Sequence, residues 1–92
     1  MQQESAETTA LKVLGWLVQE EEIFPIFLGA SGISTEELRA RAGTVDVLTA
    51  VLDFVTMDDA WVRACAEATG LDPRAPLQAK EIMAGPAASH WT

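Results

Sequence analysis

Several residue types are scarce in this sequence, and each scarcity excludes a class of protein. There is one cysteine, Cys65, so no disulfide forms within the chain and we expect a cytoplasmic protein in a reducing environment. Its single histidine leaves no paired Cys/His set with the spacing of a zinc site. Six basic residues stand against fourteen acidic ones, giving a formal charge of −8. Because that surface repels phosphate backbones and anionic lipid, we expect no nucleic acid and no membrane as partner.

Long apolar runs are also absent. No stretch approaches the roughly 20 apolar residues that cross a bilayer. The first nine residues have neither the basic nor the apolar segment of a signal peptide, so we expect none. Ninety-two residues suit a single domain, 1–92, and the apolar share of 49% leaves some apolar area for a partner or a second copy.

The apolar residues that are present follow a helical period, which predicts an all-α protein of about six short helices. A first helix is capped by Ser5. Gly15 interrupts it, and a mid-helix glycine indicates close approach by a neighbouring helix. One broad apolar face is expected to be buried; it consists of Ala10, Leu11, Val13, Leu14, Trp16, Leu17 and Val18.

The segment from Glu20 to Ser34 is expected to organise the rest of the fold. Its acidic run starts a second helix, with Pro25 in the first turn and Gly32 as the left-handed cap. The apolar residues of Ile23 to Leu28 cover about 200° of the helix circumference, too broad for one buried stripe. We therefore expect this helix in the middle of the bundle.

Four further helices follow from their start and stop signals. Ser34 and Glu37 form a capping box for a third helix, Thr35 to Ala42. Thr44 opens a fourth, the most clearly amphipathic. Asp58 and Asp59 cap a fifth, which ends at Gly70 and shares a face among Trp61, Val62, Ala64, Cys65 and Ala68. A sixth is predicted from Pro76 to Ala84, ending at Gly85 and leaving a flexible tail, 86–92.

These signals recur with an offset of 38 residues. The offset aligns Leu14 with Leu52, Gly32 with Gly70 and Ser34 with Asp72. We infer a duplicated three-helix unit, about 6–43 and 44–85, with an approximate internal two-fold and a closed, compact bundle. Large residues of one half are expected against small residues of the other, namely Ile23, Phe24, Phe27 and Leu28 against Ala64, Cys65 and Ala68.

No pattern of residues indicates chemistry, so we expect no enzyme, no cofactor and no metal. His90 has no nearby acid to orient it, and Cys65 lies on an apolar helix face, where a buried, inert thiol is expected. The candidate partner-docking residues are Trp91 and His90, because a tryptophan in a polar tail exposes a large apolar surface. The alternative is that Trp91 folds back onto its own domain.

The motifs resemble those of a known family. They are the A-x-x-x-L-G-W-L pattern from Ala10, the GASG turn, V-L-D-F from Val51 with M-D-D-A-W from Met57, and the closing H-W-T. The chain is similar over nearly its whole length to a family of small, uncharacterised bacterial proteins described as a domain of unknown function. The resemblance implies a compact, helical, cytoplasmic bacterial protein and carries over no activity or site.

Three functional hypotheses follow. The first is a noncatalytic protein-interaction module whose partner is another protein or a second copy of the chain. The alternative is a small-ligand-binding protein or enzyme with a pocket between the two halves. The third is a DNA-binding helical hairpin at Leu28 to Ala42, for which only Arg39 and Arg41 are close.

Overall fold

Three helices, the first, fourth and sixth, pack against one another and surround the core. The computed structural model describes the backbone of residues 1–90 and the side chains of residues 1–84. The described residues form six helices and no strand: α1 (Gln3–Leu17), α2 (Phe24–Ser31), α3 (Thr35–Arg41), α4 (Val45–Val55), α5 (Asp59–Thr69) and α6 (Ala75–His90). The largest interface joins α1 to α6, followed by α1 with α4 and α4 with α6. The all-α prediction is confirmed.

The core forms where the apolar faces of these three helices meet. Leu17 of α1 and Leu52 of α4 are fully buried, and Ala79 of α6 is a small residue between larger ones. The amphipathic prediction for α4 is confirmed, since its buried residues are Val47, Leu48, Val51, Leu52, Phe54 and Val55.

The helix ends agree with the local signals. Ser34 Oγ accepts a hydrogen bond from the Glu37 N–H at 3.1 Å, and the Glu37 carboxylate accepts one from the Ser34 N–H at 3.4 Å, completing the capping box of α3. Thr44 caps α4 and Asp58 caps α5. Leu38, the one large apolar residue of α3, is buried.

The prediction that α2 lies in the middle of the bundle is wrong. This helix packs mainly on α4, and Phe27 is its only buried residue. Ile26 is 52% exposed although it lies within the apolar run. A two-turn helix on the outside of the bundle can cover only one side, so apolar residues on its other side face solvent.

The expected contact between α2 and α5 is also replaced. Phe27 packs edge-to-face on Phe54 of α4 with ring centroids 5.4 Å apart, and Phe54 stacks on Trp61 at 4.7 Å. Of the face predicted for α5, Cys65 is buried and Trp61 and Val62 are half-buried against the core. Ala64 and Ala68, which were expected opposite the large residues of α2, are exposed. Aromatic rings on α2, α4 and α5 thus form one connected row.

Two helices have different bounds from those predicted. α1 begins at Gln3 after Gln2, which makes no side-chain cap, so Ser5 lies inside the helix. α6 begins at Ala75 and continues through Gly85 to His90. Glycine and proline bias a helix boundary without fixing it, which is why the predicted stop at Gly85 is wrong.

Gly15 has no neighbour in the described part of the chain. A Cβ added there would meet no atom within 4 Å, and the residue is exposed. No helix of the described residues therefore makes the close approach that this glycine was expected to indicate. Leu11 and Val18, predicted on the buried face of α1, are 48% and 43% exposed.

Candidate functional site

In two areas of the described surface, large apolar side chains line grooves. One lies between α1 and α3. The other surrounds Met57, which is 78% exposed in the turn between α4 and α5.

The first area is a groove of about 380 Å³, which we call the α1–α3 groove. Leu14 and Val18 of α1 form one wall, Phe24 of α2 forms the floor, and α3 with its C-cap forms the other wall. The residues of the α3 wall are Thr35, Leu38, Arg39 and Ala42. Among the described residues that line this groove, Arg39 is the only charged one and the others are mostly apolar.

The second area, the Met57 surface, consists of two adjoining grooves that share Met57. One, of about 220 Å³, is lined by Phe27, Ala30, Ser31, Ala50, Asp53, Phe54 and Met57. The other, of about 500 Å³, is lined by Thr56, Met57, Asp59, Val62, Pro73, Arg74, Leu77 and Gln78. The charged groups here are paired, since Asp53 lies 4.0 Å from Lys80, Asp59 lies 3.1 Å from Arg63 and Asp72 lies 3.1 Å from Arg74.

The thiol of Cys65 is fully buried on α5, as predicted. Burial raises the pKa of Cys65 above its ordinary value of 9.0, and a hydrogen bond with Thr69 opposes that shift. The thiolate is the nucleophile, so a raised pKa and a buried sulfur keep this residue unreactive near neutral pH.

Asp72 and Arg74 form the most strongly perturbed charged pair in the described side chains. Arg74 donates to Asp72 from its side chain at 3.1 and 3.2 Å and from its backbone N–H at 2.8 Å. These hydrogen bonds lower the pKa of Asp72 and raise that of Arg74. Both are exposed and the pair precedes α6, so it serves the start of that helix.

The sequence indicates two tail residues, His90 and Trp91, for docking a partner. Trp91 and the side chain of His90 lie outside the described residues, so their docking role stays a prediction. Among the side chains of residues 1–84, no three of His, Cys, Asp and Glu come together as metal ligands do. No described helix is long and apolar enough to cross a membrane.

Sequence reasoning singled out Gly15 but missed the outward apolar face of α1, because it placed Leu11 and Val18 on the buried face. A signal was present. The seven apolar positions of this helix cover a wider arc than one buried stripe needs, so part of that arc had to face something other than the core.

No curated protein and no solved structure matches the chain. One family model, described as Protein of unknown function (DUF3572), matches residues 3–86. Since this match covers α1 to α5 and most of α6, the chain belongs to the DUF3572 family of proteins of unknown function.

Proposed function

We propose that this protein is a noncatalytic protein-interaction module. One observation supports the proposal most strongly: large apolar side chains are exposed on a small, highly charged domain. They are Met1, Leu11, Val18, Ile26, Val45, Met57 and Leu77. Single exposed apolar residues are normal, but contiguous ones mark surfaces that another molecule covers. Leu11 and Val18 lie on the same outward face of α1, and Val18 continues into the α1–α3 groove.

The partner is another protein or a second copy of the chain. A homodimer through the outward face of α1 is the first arrangement to test. The formal charge of −8 opposes a homodimer, because two copies repel each other. Added salt screens this repulsion, so the homodimer would strengthen with it. The cytoplasm is the proposed compartment, since the free thiol of Cys65 is kept reduced there.

The test compares the apparent mass of the protein in a cell extract with its mass after purification. The wild-type chain, at 9.9 kDa, should elute well above its monomer mass from a fresh extract of its own cells. The Leu11→Glu, Val18→Glu double variant should elute as a monomer, whereas Ala64→Glu, a charge added at an exposed position of α5, should elute like wild type. Sedimentation of the purified protein then separates a dimer from a complex with another protein. A wild-type monomer in both experiments contradicts the proposal.

A second candidate function is small-ligand binding between the two predicted halves. The smaller groove of the Met57 surface favours it, because Phe27 and Ala30 come from the first half and Ala50 and Phe54 from the second. Its volume of about 220 Å³ is below the roughly 300–1,000 Å³ of typical ligand sites. A thermal-shift screen of metabolites and metals tests it, since a ligand that binds the native state raises the melting temperature. Stabilisation by one compound that Ala50→Trp abolishes would favour this function.

A further inference from the structure

The outward face of α1 has the pattern of a helix-packing face but no helix on it among the described residues. Leu11, Gly15 and Val18 have the spacing i, i+4 and i+7, so they lie together on one side of the helix, and all three are exposed. Val13 and Leu17 face the core, and Leu14, which is also buried, lies at the border between the two faces. α1 therefore has two apolar faces, of which the fold covers one.

Gly15 lies in the middle of the outward face. A glycine inside a helix costs up to about 1 kcal/mol relative to alanine. No atom of the described chain lies within 4 Å of its missing Cβ, so packing inside the fold does not offset that cost. A notch flanked by Leu11 and Val18 lets a second helix approach the backbone of α1 closely. No helix of the described residues fills this notch, which leaves it open to a helix of another molecule.

The α3 wall of the groove repeats the same spacing. Thr35, Leu38, Arg39 and Ala42 are at i, i+3, i+4 and i+7 and face the space that Leu14 and Val18 line. Phe24 is half-buried at the floor. Two helical walls with an apolar floor form the kind of groove that receives the apolar face of an amphipathic helix. From Leu14 to Val18 the α1 wall extends about 6 Å, and the outward face continues it to Leu11, which makes about 10 Å or two helical turns in all.

The charges around this groove decide which helix fits. Lys12 is the only basic residue in the segment 1–38, which contains Glu4, Glu7, Glu20, Glu21, Glu22, Glu36 and Glu37. Glu20 to Glu22 connect α1 to α2, between the groove residues Val18 and Phe24. Within the described side chains, none of these glutamates has a basic group within 4.0 Å. The three glutamates next to the groove are therefore in no salt bridge, although Arg39 lines the other wall.

We propose that the α1–α3 groove binds an amphipathic helix of a partner protein that carries basic side chains beside its apolar face. This inference rests on the proposed interaction function and names the partner's chemistry. The apolar face sits against the groove residues Val18 and Phe24 and extends over the adjoining Leu11 and Gly15. The basic side chains point to Glu20–Glu22, away from Arg39. A second copy of this chain fits less well, because its own glutamates would face these.

The probe is a synthetic peptide of about 15 residues, long enough to form a helix on binding, with leucine on one face and lysine on the other. One matched peptide has glutamate in place of lysine, and a second has the same composition without an apolar face. Fluorescence anisotropy at about 0.15 M salt, where long-range charge effects are screened beyond about 8 Å, measures the three dissociation constants. We expect micromolar binding of the leucine–lysine peptide and at least tenfold weaker binding of the other two.

Variants of the protein locate the binding. Gly15→Leu fills the notch and should weaken binding at least tenfold. Gly29→Leu is the matched control, because Gly29 is also helical, exposed and open, yet lines neither surface; it should change binding less than twofold. Neutralising Glu20, Glu21 and Glu22 to glutamine should weaken binding and reduce its salt dependence. Circular dichroism confirms that each variant is folded.

Three results overturn the inference: equal binding of the leucine–glutamate peptide, loss with Gly29→Leu but not Gly15→Leu, or a homodimer that Gly15→Leu dissociates. In each case the native complex measured in the cell extract still tests the broader function separately. If that complex persists, only the partner's chemistry is wrong; if it is absent as well, the interaction function fails too.

Discussion

Gly32 and Gly70 end α2 and α5 in the same left-handed conformation, with φ and ψ of 74° and 6° at Gly32 and 79° and 5° at Gly70. The residues before the two glycines also make the same hydrogen bond. The hydroxyl of Ser31 accepts from the Ile33 N–H at 3.2 Å, and that of Thr69 accepts from the Leu71 N–H at 3.3 Å. The two turns are 38 residues apart, the offset that the sequence repeat predicts.

Backbone hydrogen bonds recur with the same offset. The Val18 N–H donates to the Leu14 carbonyl and the Thr56 N–H to the Leu52 carbonyl, each at 3.0 Å. Three more N–H to carbonyl bonds have a counterpart 38 residues later. They are Gln19 to Trp16 (counterpart Met57 to Phe54), Glu20 to Leu17 (Asp58 to Val55) and Phe24 to Glu20 (Val62 to Asp58). The local turns are thus repeated, while α3 has 7 residues and α6 has 16. The approximate two-fold of the whole halves stays a prediction.

Replacing either left-handed glycine by alanine should destabilise the fold. A side chain in this conformation costs roughly 1–2 kcal/mol, and we expect Gly32→Ala and Gly70→Ala each to lower the free energy of unfolding by that amount. Asparagine tolerates positive φ better, so the asparagine variants should lose less. Urea denaturation measures all four. Equal stability of the alanine variants and wild type would contradict the left-handed caps.

Gly15→Ala, unlike the changes at Gly32 and Gly70, should stabilise the fold. Its helical position has open space around the added methyl group, so the variant should gain roughly 0.5–1 kcal/mol of unfolding free energy. Gly29→Ala in α2 is the matched comparison and should also be stabilising, because its surroundings are equally open. A loss of stability specific to Gly15→Ala in the purified monomer would show that another part of the chain packs on this residue.

Two neighbouring residues of α2 test its position outside the bundle. Phe27→Ala should lower the free energy of unfolding by roughly 3–5 kcal/mol, because a fully buried ring in contact with Phe54 is lost. Ile26→Ala should change it by no more than about 0.5 kcal/mol, because the side chain is largely exposed. If Phe27→Ala does not fold, Phe27→Leu provides a smaller step in the same direction. Comparable losses at both positions would restore α2 to the middle of the bundle.

The buried thiol of Cys65 should make the free energy of unfolding fall in the alkaline pH range. Burial raises its pKa in the folded state, so the unfolded thiol, with the ordinary value of 9.0, loses its proton first. The unfolded state then binds fewer protons, and stability falls as pH rises through 9.0 and continues to fall until the folded thiol titrates. Urea denaturation from pH 7 to 10 should show this decrease. Cys65→Ala is the control, and an identical pH dependence in that variant would rule out the thiol as its cause.

The starts of α3, α4 and α5 and the glycine ends of α2 and α5 could be predicted because each depends on residues only a few positions apart. Ser34 with Glu37 and Gly32 with its own backbone are such cases. The placement of whole helices could not. An apolar arc shows which residues avoid water, but it does not show whether the same chain or another molecule covers them. Ile26 and Leu11 were therefore predicted as buried and are exposed.

The candidate site was harder to predict for the same reason. Trp91 can be recognised in the sequence because it is a single aromatic residue in a polar tail. The grooves cannot, because they form from side chains that separate helices bring together. Val18 and Ala42 line one groove although they are distant in the sequence. Gly15 did carry a usable signal, since its pattern indicated a neighbouring helix, but the sequence alone does not distinguish a neighbour within the chain from a partner.

Site-specific photo-crosslinking in living cells tests most directly whether the outward face of α1 is an interaction surface. A photoreactive phenylalanine analogue replaces Leu11 on that face or, as the control, the exposed Ala64 of α5. We predict that the protein labelled at position 11 crosslinks to one discrete protein after illumination and that the protein labelled at position 64 does not. No crosslinked product at position 11, or the same products from both positions, would contradict the account.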